Sequence, residues 1–440
     1  MWSYHPDLLA RPVPRYTSYP TAAEFGEAVT ARDMADALDA IPDDAPISLY
    51  LHIPYCREIC WYCGCNTGAA NRASRLSAYM ARLEEEIALV AGQLAGRGRV
   101  GRIAFGGGSP NALSPAVFAG LAAGVRRAFR CDDPVLSVEI DPRGFDADWA
   151  AVIAATGVSR VSLGVQTLDP AVQAAIGRVQ PAAVIHQTVA LLREAGVGSI
   201  NFDLMYGLPG QSEASLLDSL RDSIAMRPDR LAVFGYAHVP HLVPRQRRID
   251  DSRLADVASR FAQAALAYEM LTDAGYVAVG FDHFALPGDA LAQASEAGTL
   301  RRNFQGFTED PAEILIGLGA SAISEFPGAL LHNEKNTGRY GMRIDAGGFA
   351  TTRGLHRTAE DQVRGRAIEA ILTRGMADLG PIVGGEAIRA QLAPFEREGL
   401  IRWEGSMLRL ADAARPYART IACAFDAYRQ AAPGRFSSAV

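Results

Sequence analysis

The sequence predicts an α/β protein built as a partial, six-unit parallel β/α barrel, preceded by an N-terminal arm and followed by a mainly helical, winged-helix-like C-terminal domain. Three observations carry this. Six short apolar runs recur from Ile47 onward, helix-period segments fill the intervals between them, and the pattern changes character after about residue 355.

Residues 1–45 form the arm. Pro12-Val13-Pro14-Arg15-Tyr16-Thr17-Ser18-Tyr19-Pro20-Thr21 is too rich in prolines and too poor in apolar repeats to make a core of its own. An extended strap docked on the rest of the chain is expected, with a short helix over 31–40. Arg15 is the only charge in that stretch, and two roles suit it: a contact to an anionic ligand, or a pin to a carboxylate of the protein.

Residues 46–355 form the barrel domain. Strands are predicted at 47–53, 102–105, 136–140, 160–165, 200–205 and 231–236, with helices over 75–93, 115–129, 147–155, 184–195 and 216–226. Strands joined through helices pair in parallel with right-handed crossovers, giving a doubly covered sheet or a barrel. A complete eight-fold barrel needs two more units, and the stretch after Tyr236 offers only 276–281.

Residues 356–440 read as helix (360–374), helix (385–397), a hairpin of 400–403 and 407–410 across Glu404-Gly405-Ser406, and a last helix through Cys423. Winged helices that read DNA present basic surfaces, whereas Glu396, Glu398, Glu404 and Asp412 lie among the arginines here. A lid packed over the barrel is the expected role.

With 440 residues, 49% hydrophobic and 21% charged, the chain is long enough for one large and one smaller domain. Its net charge of -6 argues against a broad nucleic-acid footprint. No basic-then-apolar leader and no membrane-length apolar run is present, so a cytoplasmic monomer without a membrane span is expected.

The chemistry concentrates in Cys56-Arg57-Glu58-Ile59-Cys60-Trp61-Tyr62-Cys63-Gly64-Cys65, directly after the first strand. Four of the six cysteines crowd there, too close for an unstrained disulfide framework, which points to a metal. Four thiolates suit zinc, and thiolates also hold iron–sulfur clusters. The other two, Cys131 and Cys423, are expected to be buried free thiols. Ligands of parallel α/β folds gather at the carboxyl ends of the strands. There the sequence delivers Gly106-Gly107-Gly108-Ser109-Pro110, Glu139 within an apolar strand, Gln166, Arg178 and Asp203. Each one alone is explained by a structural hydrogen bond; the set together points to a site.

Three residues between the first two cysteines and two before the third, with Tyr62 preceding the third, resemble the CxxxCxxC loop of radical S-adenosylmethionine (SAM) enzymes. Six strand–helix units resemble the open barrel of that superfamily. The resemblance narrows over Arg15–Thr21, Tyr50-Leu51-His52-Ile53-Pro54, Gly106–Pro110, Val138-Glu139-Ile140-Asp141-Pro142-Arg143, Gly164-Val165-Gln166, Asp203–Pro209, Asp282-His283-Phe284-Ala285 and Arg302-Asn303-Phe304-Gln305-Gly306. These look like the oxygen-independent coproporphyrinogen III oxidases nearly end to end.

That resemblance implies a [4Fe-4S] cluster on Cys56, Cys60 and Cys63, with Cys65 not a ligand. It implies two SAM molecules: one on the cluster touching Tyr50, Gly107, Glu139, Ala237 and Ile323, and a second touching Tyr62, Gly108, Ser109, Gln166, Arg178 and Asp203. His52 is implied as catalytic. Ser109 stands where the family usually has threonine, and keeps the hydroxyl. The implied reaction turns two propionates of coproporphyrinogen III into vinyls through a 5′-deoxyadenosyl radical, with a donor such as flavodoxin or ferredoxin supplying the electron. Four substrate carboxylates call for a cationic rim, for which Arg15, Arg245, Arg247 and Arg248 are candidates, a solvated charge run being the plainer meaning of the last three. The rivals are a haem chaperone, which typically lacks the arm and the second cysteine of Cys63-Gly64-Cys65, a radical SAM haem methyltransferase, and a zinc-stabilised DNA-binding regulator.

Overall fold

The computed structural model describes residues 2–429. Six parallel strands, β1 (Pro46–Ile53), β2 (Arg99–Gly107), β3 (Cys131–Ile140), β4 (Val158–Gln166), β5 (Ser199–Tyr206) and β6 (Arg230–Gly235), lie side by side in chain order. Their connections run through α2 (Ala73–Leu94), α3 (Pro115–Ala128), α4 (Ala147–Thr156), α5 (Ala182–Glu194) and α6 (Glu213–Ala225), while α1 (Ala31–Asp39) belongs to the arm. The six units are those the apolar runs predict. Alternation explains why. In β4 and β5, Val161, Leu163, Val165, Ile200, Phe202 and Leu204 are buried against the helices, while Ser162, Gly164, Gln166, Asn201 and Asp203 face the barrel interior. Local signals agree: Asp146 caps α4 by accepting from Trp149 N–H at 3.0 Å, and Ser212 closes a capping box on α6.

The sheet continues beyond these six strands, where the sequence reading stopped. On the β1 side come β7 (Ile314–Leu318), parallel to β1, then β8 (Ile323–Phe326), β9 (Ala329–Asn333) and β10 (Thr351–His356) in antiparallel order. On the β6 side, the predicted strand near 276–281 is the three-residue Val277–Val279, paired antiparallel with His283–Ala285. Short strands interrupted by Gly317, Gly319 and Gly280 leave little periodicity to read.

One end of the barrel is closed by charge. Arg102, Arg160 and Arg230 rise from β2, β4 and β6 opposite Ser48, Ser137 and Asn201 of the neighbouring strands. All three guanidiniums meet the Glu309 carboxylate: Arg102 at 2.5 Å, Arg230 at 3.8 Å, and Arg160 in direct contact. Asp310 adds a hydrogen bond from Ser48 and a 3.5 Å contact with Arg102, and Asp289 takes Arg230 at 2.8 Å. The strand amino ends are thereby plugged, and ligands must use the carboxyl ends.

The arm is ordered by what it touches. Val13, Tyr16 and Tyr19 are buried in a second core shared with the C-terminal residues Ile368, Ile371, Leu392, Tyr417 and Phe425. Tyr16 OH donates to Asp426 Oδ2 and Ala427 N–H donates to Tyr19 OH, both at 3.0 Å. The Arg15 guanidinium donates to the Gly235 carbonyl at 3.0 Å, lies 3.7 Å from Asp282 and covers the Phe234 ring, so the pin to the protein is present. The C-terminal part contains the expected α7 (Ala359–Arg374), α8 (Gly385–Arg397), the hairpin Ile401–Glu404 with Met407–Leu410, and the helix Ala418–Cys423. A third strand, Met376–Asp378, pairs with Met407–Leu410; with only Ala377 buried, it carries no readable pattern. Residues 430–440 of the C-terminal range proposed from the sequence lie outside the described residues. Cys131 and Cys423 are free but half-buried rather than buried, Cys131 at a strand start and Cys423 next to Tyr16. Among the described residues no helix is long and apolar enough to cross a membrane.

The floor of the barrel predicts a pH-dependent stability. Burial would raise the Glu309 carboxyl, but Arg102, Arg160 and Arg230 outweigh it and hold the group at about 2. A depressed carboxyl contributes stability above its unfolded value of about 4.3 that is lost as pH falls towards 2. Glu309→Gln should cost about 3–5 kcal/mol near neutral pH by leaving buried guanidiniums unmatched. Urea unfolding of both proteins between pH 7 and 2.5 should show the gap narrowing below pH about 4.5; a gap independent of pH would contradict this assignment.

Candidate functional site

The cysteine loop leaves β1 and is held on all sides. Gly68 N–H donates to the Pro54 carbonyl and Ala70 N–H to that of Cys56, at 2.9 and 2.8 Å. Trp61 N–H donates to the Ile176 carbonyl at 3.0 Å. The buried Gln246 amide donates to the Tyr62 and Ala237 carbonyls at 2.8 and 3.0 Å. Arg245 donates to the Cys65 and Thr67 carbonyls at 3.3 Å, and Arg248 covers the Trp61 ring. Of the four arginines proposed as a substrate rim, Arg245 and Arg248 therefore fasten the loop, and Arg247 is left exposed.

Each of the first three thiols meets its own polar neighbour. Cys56 Sγ lies 3.2 Å from Thr67 Oγ1, Cys63 Sγ accepts the Cys65 N–H at 3.4 Å, and Cys60 Sγ accepts from Arg178 Nη1 at 3.3 Å and Arg143 Nη2 at 3.5 Å. Burial pushes the Cys56 thiol up to about 11, with Thr67 opposing and Cys63 and Cys60 adding to the rise. Hydrogen bonding with Cys65 lowers Cys63. Among the described residues no three His, Cys, Asp or Glu side chains are placed to close on a single ion, as a mononuclear zinc site demands. A polynuclear cluster spreads its thiolates over separate irons, and donors to each sulfur suit it.

The strand ends form a wall beside this loop. His52 is buried, its Nδ1 3.1 Å from Tyr50 OH and its Nε2 3.4 Å from the Asn66 carbonyl; burial lowers it to about 4, so the ring is neutral. A Cβ on Gly107, at φ +106°, would lie 2.5 Å from that ring, one on Gly106 2.5 Å from the Glu139 carboxylate, and one on Gly108 2.5 Å from the Tyr55 backbone. Here missing side chains are what allow the approach. Gly107 N–H donates to Glu139 Oε2 at 3.1 Å. Gly317, the β7 partner of Tyr50, lies under the Ile323 backbone, which brings Ile323 to the same side. Tyr50, His52, Gly107, Glu139 and Ile323 are thus gathered at the β1, β2, β3 and β7 ends, with Ala237 fixed to the cysteine loop through Gln246.

A second group lies beyond Glu139. Asp203 accepts from Ser162 Oγ and from Asn201 Nδ2, both at 2.8 Å. Gln166 adopts φ +66°, and its amide and Arg178 both occupy the space opened by Gly164. Tyr62 packs with Trp61 and Met205 against Val172, Ile176 and Leu208. The five N–H groups of Arg178 reach Gln180 Oε1, Cys60 Sγ, both Asp141 oxygens and the Gly164 carbonyl. Ser109 Oγ donates to Asn111 and accepts from Asp141 N–H at 3.2 Å, joining the β2 and β3 ends. The sequence reading gave no role to Asp141, Arg143, Thr67 or Gln246. Arg143 and Gln246 meet the loop across 83 and 184 residues, which no spacing reveals.

Comparison with known proteins follows this geometry. The model of the radical SAM superfamily matches residues 50–222. The chain is 44% identical over 425 residues to the oxygen-independent coproporphyrinogen III oxidase of Bradyrhizobium diazoefficiens, covering 94% of each. It is 36% identical to that of Escherichia coli, covering 94% of this chain and 93% of the other. The solved structure of the Escherichia coli coproporphyrinogen III oxidase, described as a radical SAM enzyme, superposes with a TM-score of 0.90 at 34% identity, over 97% of this chain and 99% of that one.

Asp203 bears on the Glu139 carboxyl. Burial pushes Glu139 up to about 7; Gly107 N–H pulls it back, and Asp203 and Cys63 add to the rise. Burial likewise raises Asp203. Asp203→Asn removes a like charge, so the Glu139 midpoint should move down, read by carboxyl infrared bands or ¹³C labelling. An unmoved midpoint would show that the two carboxyls do not sense each other.

Proposed function

We infer, from the premise that the chain belongs to the oxygen-independent coproporphyrinogen III oxidases of the radical SAM superfamily, that it oxidatively decarboxylates two propionates of coproporphyrinogen III to vinyls, giving protoporphyrinogen IX in haem biosynthesis. The observation that carries this is similarity over 94% of both chains, which takes in the arm and the C-terminal part as well as the superfamily region 50–222.

The residues fit the cofactors the family implies. Cys56, Cys60 and Cys63 would hold a [4Fe-4S] cluster, each with a donor at its sulfur. Cys65 would stand outside the ligand set, as the family resemblance implies, with its backbone N–H donating to the Cys63 sulfur. Tyr50, Gly107, Glu139, Ala237 and Ile323 would hold SAM at the cluster, and a second SAM would lie along Tyr62, Gly108, Ser109, Gln166, Arg178 and Asp203. Two separate carboxylates, Glu139 and Asp203, each suited to accept ribose hydroxyls, support two molecules. When bound, cluster and SAM supply the one-electron chemistry that removes a hydrogen atom from the propionate carbon beside the macrocycle. A reduced donor such as flavodoxin or ferredoxin would feed the electron.

The chain's own part is placement and exclusion of water. The plugged floor leaves one entrance. Neutral His52 fills the space over Gly107 and braces Tyr50 without bringing a charge. A cavity walled by Arg15, Arg419, Phe281 and Asp282 lies between the arm, β6 and the C-terminal part, and its guanidiniums suit a substrate carboxylate.

Anaerobic incubation of the reduced protein with SAM and coproporphyrinogen III should yield vinyl-bearing product, methionine and 5′-deoxyadenosine. SAM cleavage without vinyl formation would favour the haem methyltransferase reading. Cys56→Ser, Cys60→Ser and Cys63→Ser should each abolish cluster and cleavage, whereas Cys65→Ser keeps iron; equal iron loss in all four would mean four-thiolate ligation. Asp203→Ala should bind fewer SAM molecules per cluster with an unaltered cluster spectrum, and unchanged stoichiometry would remove the second-site assignment.

A further inference from the structure

Cys60 receives a different kind of donor from its companions. Thr67 hydroxyl and Cys65 N–H, both neutral, serve Cys56 and Cys63. Two guanidiniums serve Cys60: Arg178 Nη1 at 3.3 Å and Arg143 Nη2 at 3.5 Å. They arrive from different strands, Arg143 on the turn after β3 and Arg178 beyond β4. One carboxylate, Asp141, aims both: it takes Arg143 Nη2 at 2.6 Å and Nε at 3.0 Å, and Arg178 Nη1 and Nη2 at 3.2 Å. The side chain of Arg143 is only 11% exposed, and its outer nitrogen is tied to Glu58 at 2.6 Å. Asp141 is itself positioned through its backbone N–H, which donates to Ser109 Oγ and Asn111 Oδ1. Burial would raise this carboxyl, yet Arg178 and Arg143 keep it ionised below its ordinary range.

A guanidinium with four bonded acceptors in a half-enclosed setting has little freedom to leave. Reduction adds negative charge to a cluster and its thiolates, so a fixed cation and an N–H···S bond favour the reduced state, and weakening them lowers the potential. We propose that Arg143, aimed by Asp141, is a positioning residue that sets the reduction potential of the cluster through Cys60. This rests on the reading that Cys56, Cys60 and Cys63 hold that cluster. Arg143 is also outside the residues assigned to either SAM, so it can be altered without removing a SAM contact.

The test is a redox titration of the anaerobically purified full chain, followed by electron paramagnetic resonance. Arg143→Gln should retain wild-type iron and sulfide. At the wild-type midpoint its reduced-to-oxidised ratio should fall about tenfold, a negative shift of about 59 mV for one electron. Arg143→Lys keeps the charge but cannot bridge Asp141 and Cys60, and should shift in the same direction by less. Full iron content with an unshifted Arg143→Gln potential overturns the proposal. Should Arg143→Gln lose iron, Arg143→Lys decides: a wild-type potential, or iron loss there too, makes Arg143 a structural prop and overturns it. Wild-type protein without iron and sulfide would instead fail the cluster reading, before any potential is compared.

Discussion

The grip of three arginines on Glu309 is what makes the barrel one-ended. Arg102, Arg160 and Arg230 point into a shared interior, where three unmatched guanidiniums would repel one another, and the matching carboxylate comes from a segment outside the six repeating units. That segment leads directly into β7, which lies parallel to β1 and brings Ile323 next to Tyr50. One stretch of chain therefore neutralises the floor and supplies a wall of the site. At the opposite end Glu139 and Asp203 hold their protons more tightly than usual, as befits groups that await a ligand.

Much of this was legible beforehand where a residue pattern maps to a local geometry. Strands β1 to β6 show alternation or unbroken apolar runs, and α3, α4 and α6 carry side-chain caps. The cysteine spacing and the polar residues at strand ends pointed to the carboxyl end of the barrel, where the fold gathers these residues. Strands β7 to β10 were not legible, because their partners are set by pairing with β1, which precedes β7 by more than 250 residues, and because glycines at 317 and 319 interrupt them. Nor were the sulfur donors. Arg143 stood inside a motif used to identify the family, yet only the fold brings it over Cys60.

Asp141 shows how one half-buried carboxylate can serve two ends. Its backbone locks to the β2 loop through Ser109 and Asn111, while its side chain orients two cations towards a thiol. The serine at position 109 thus has a task inside the protein in addition to any ligand contact, since its hydroxyl ties the β2 loop to the Asp141 backbone.

The arm has a consequence for how the protein is made. Tyr16 and Tyr19 find their hydrogen-bond partners at Asp426 and Ala427, 410 and 408 positions later. During synthesis Tyr16 and Tyr19 must wait for these distant partners, so the barrel can fold while this part of its cover is still open. A chain that stopped short of Asp426 would leave both contacts unmade and its strap loose over an unsealed chamber.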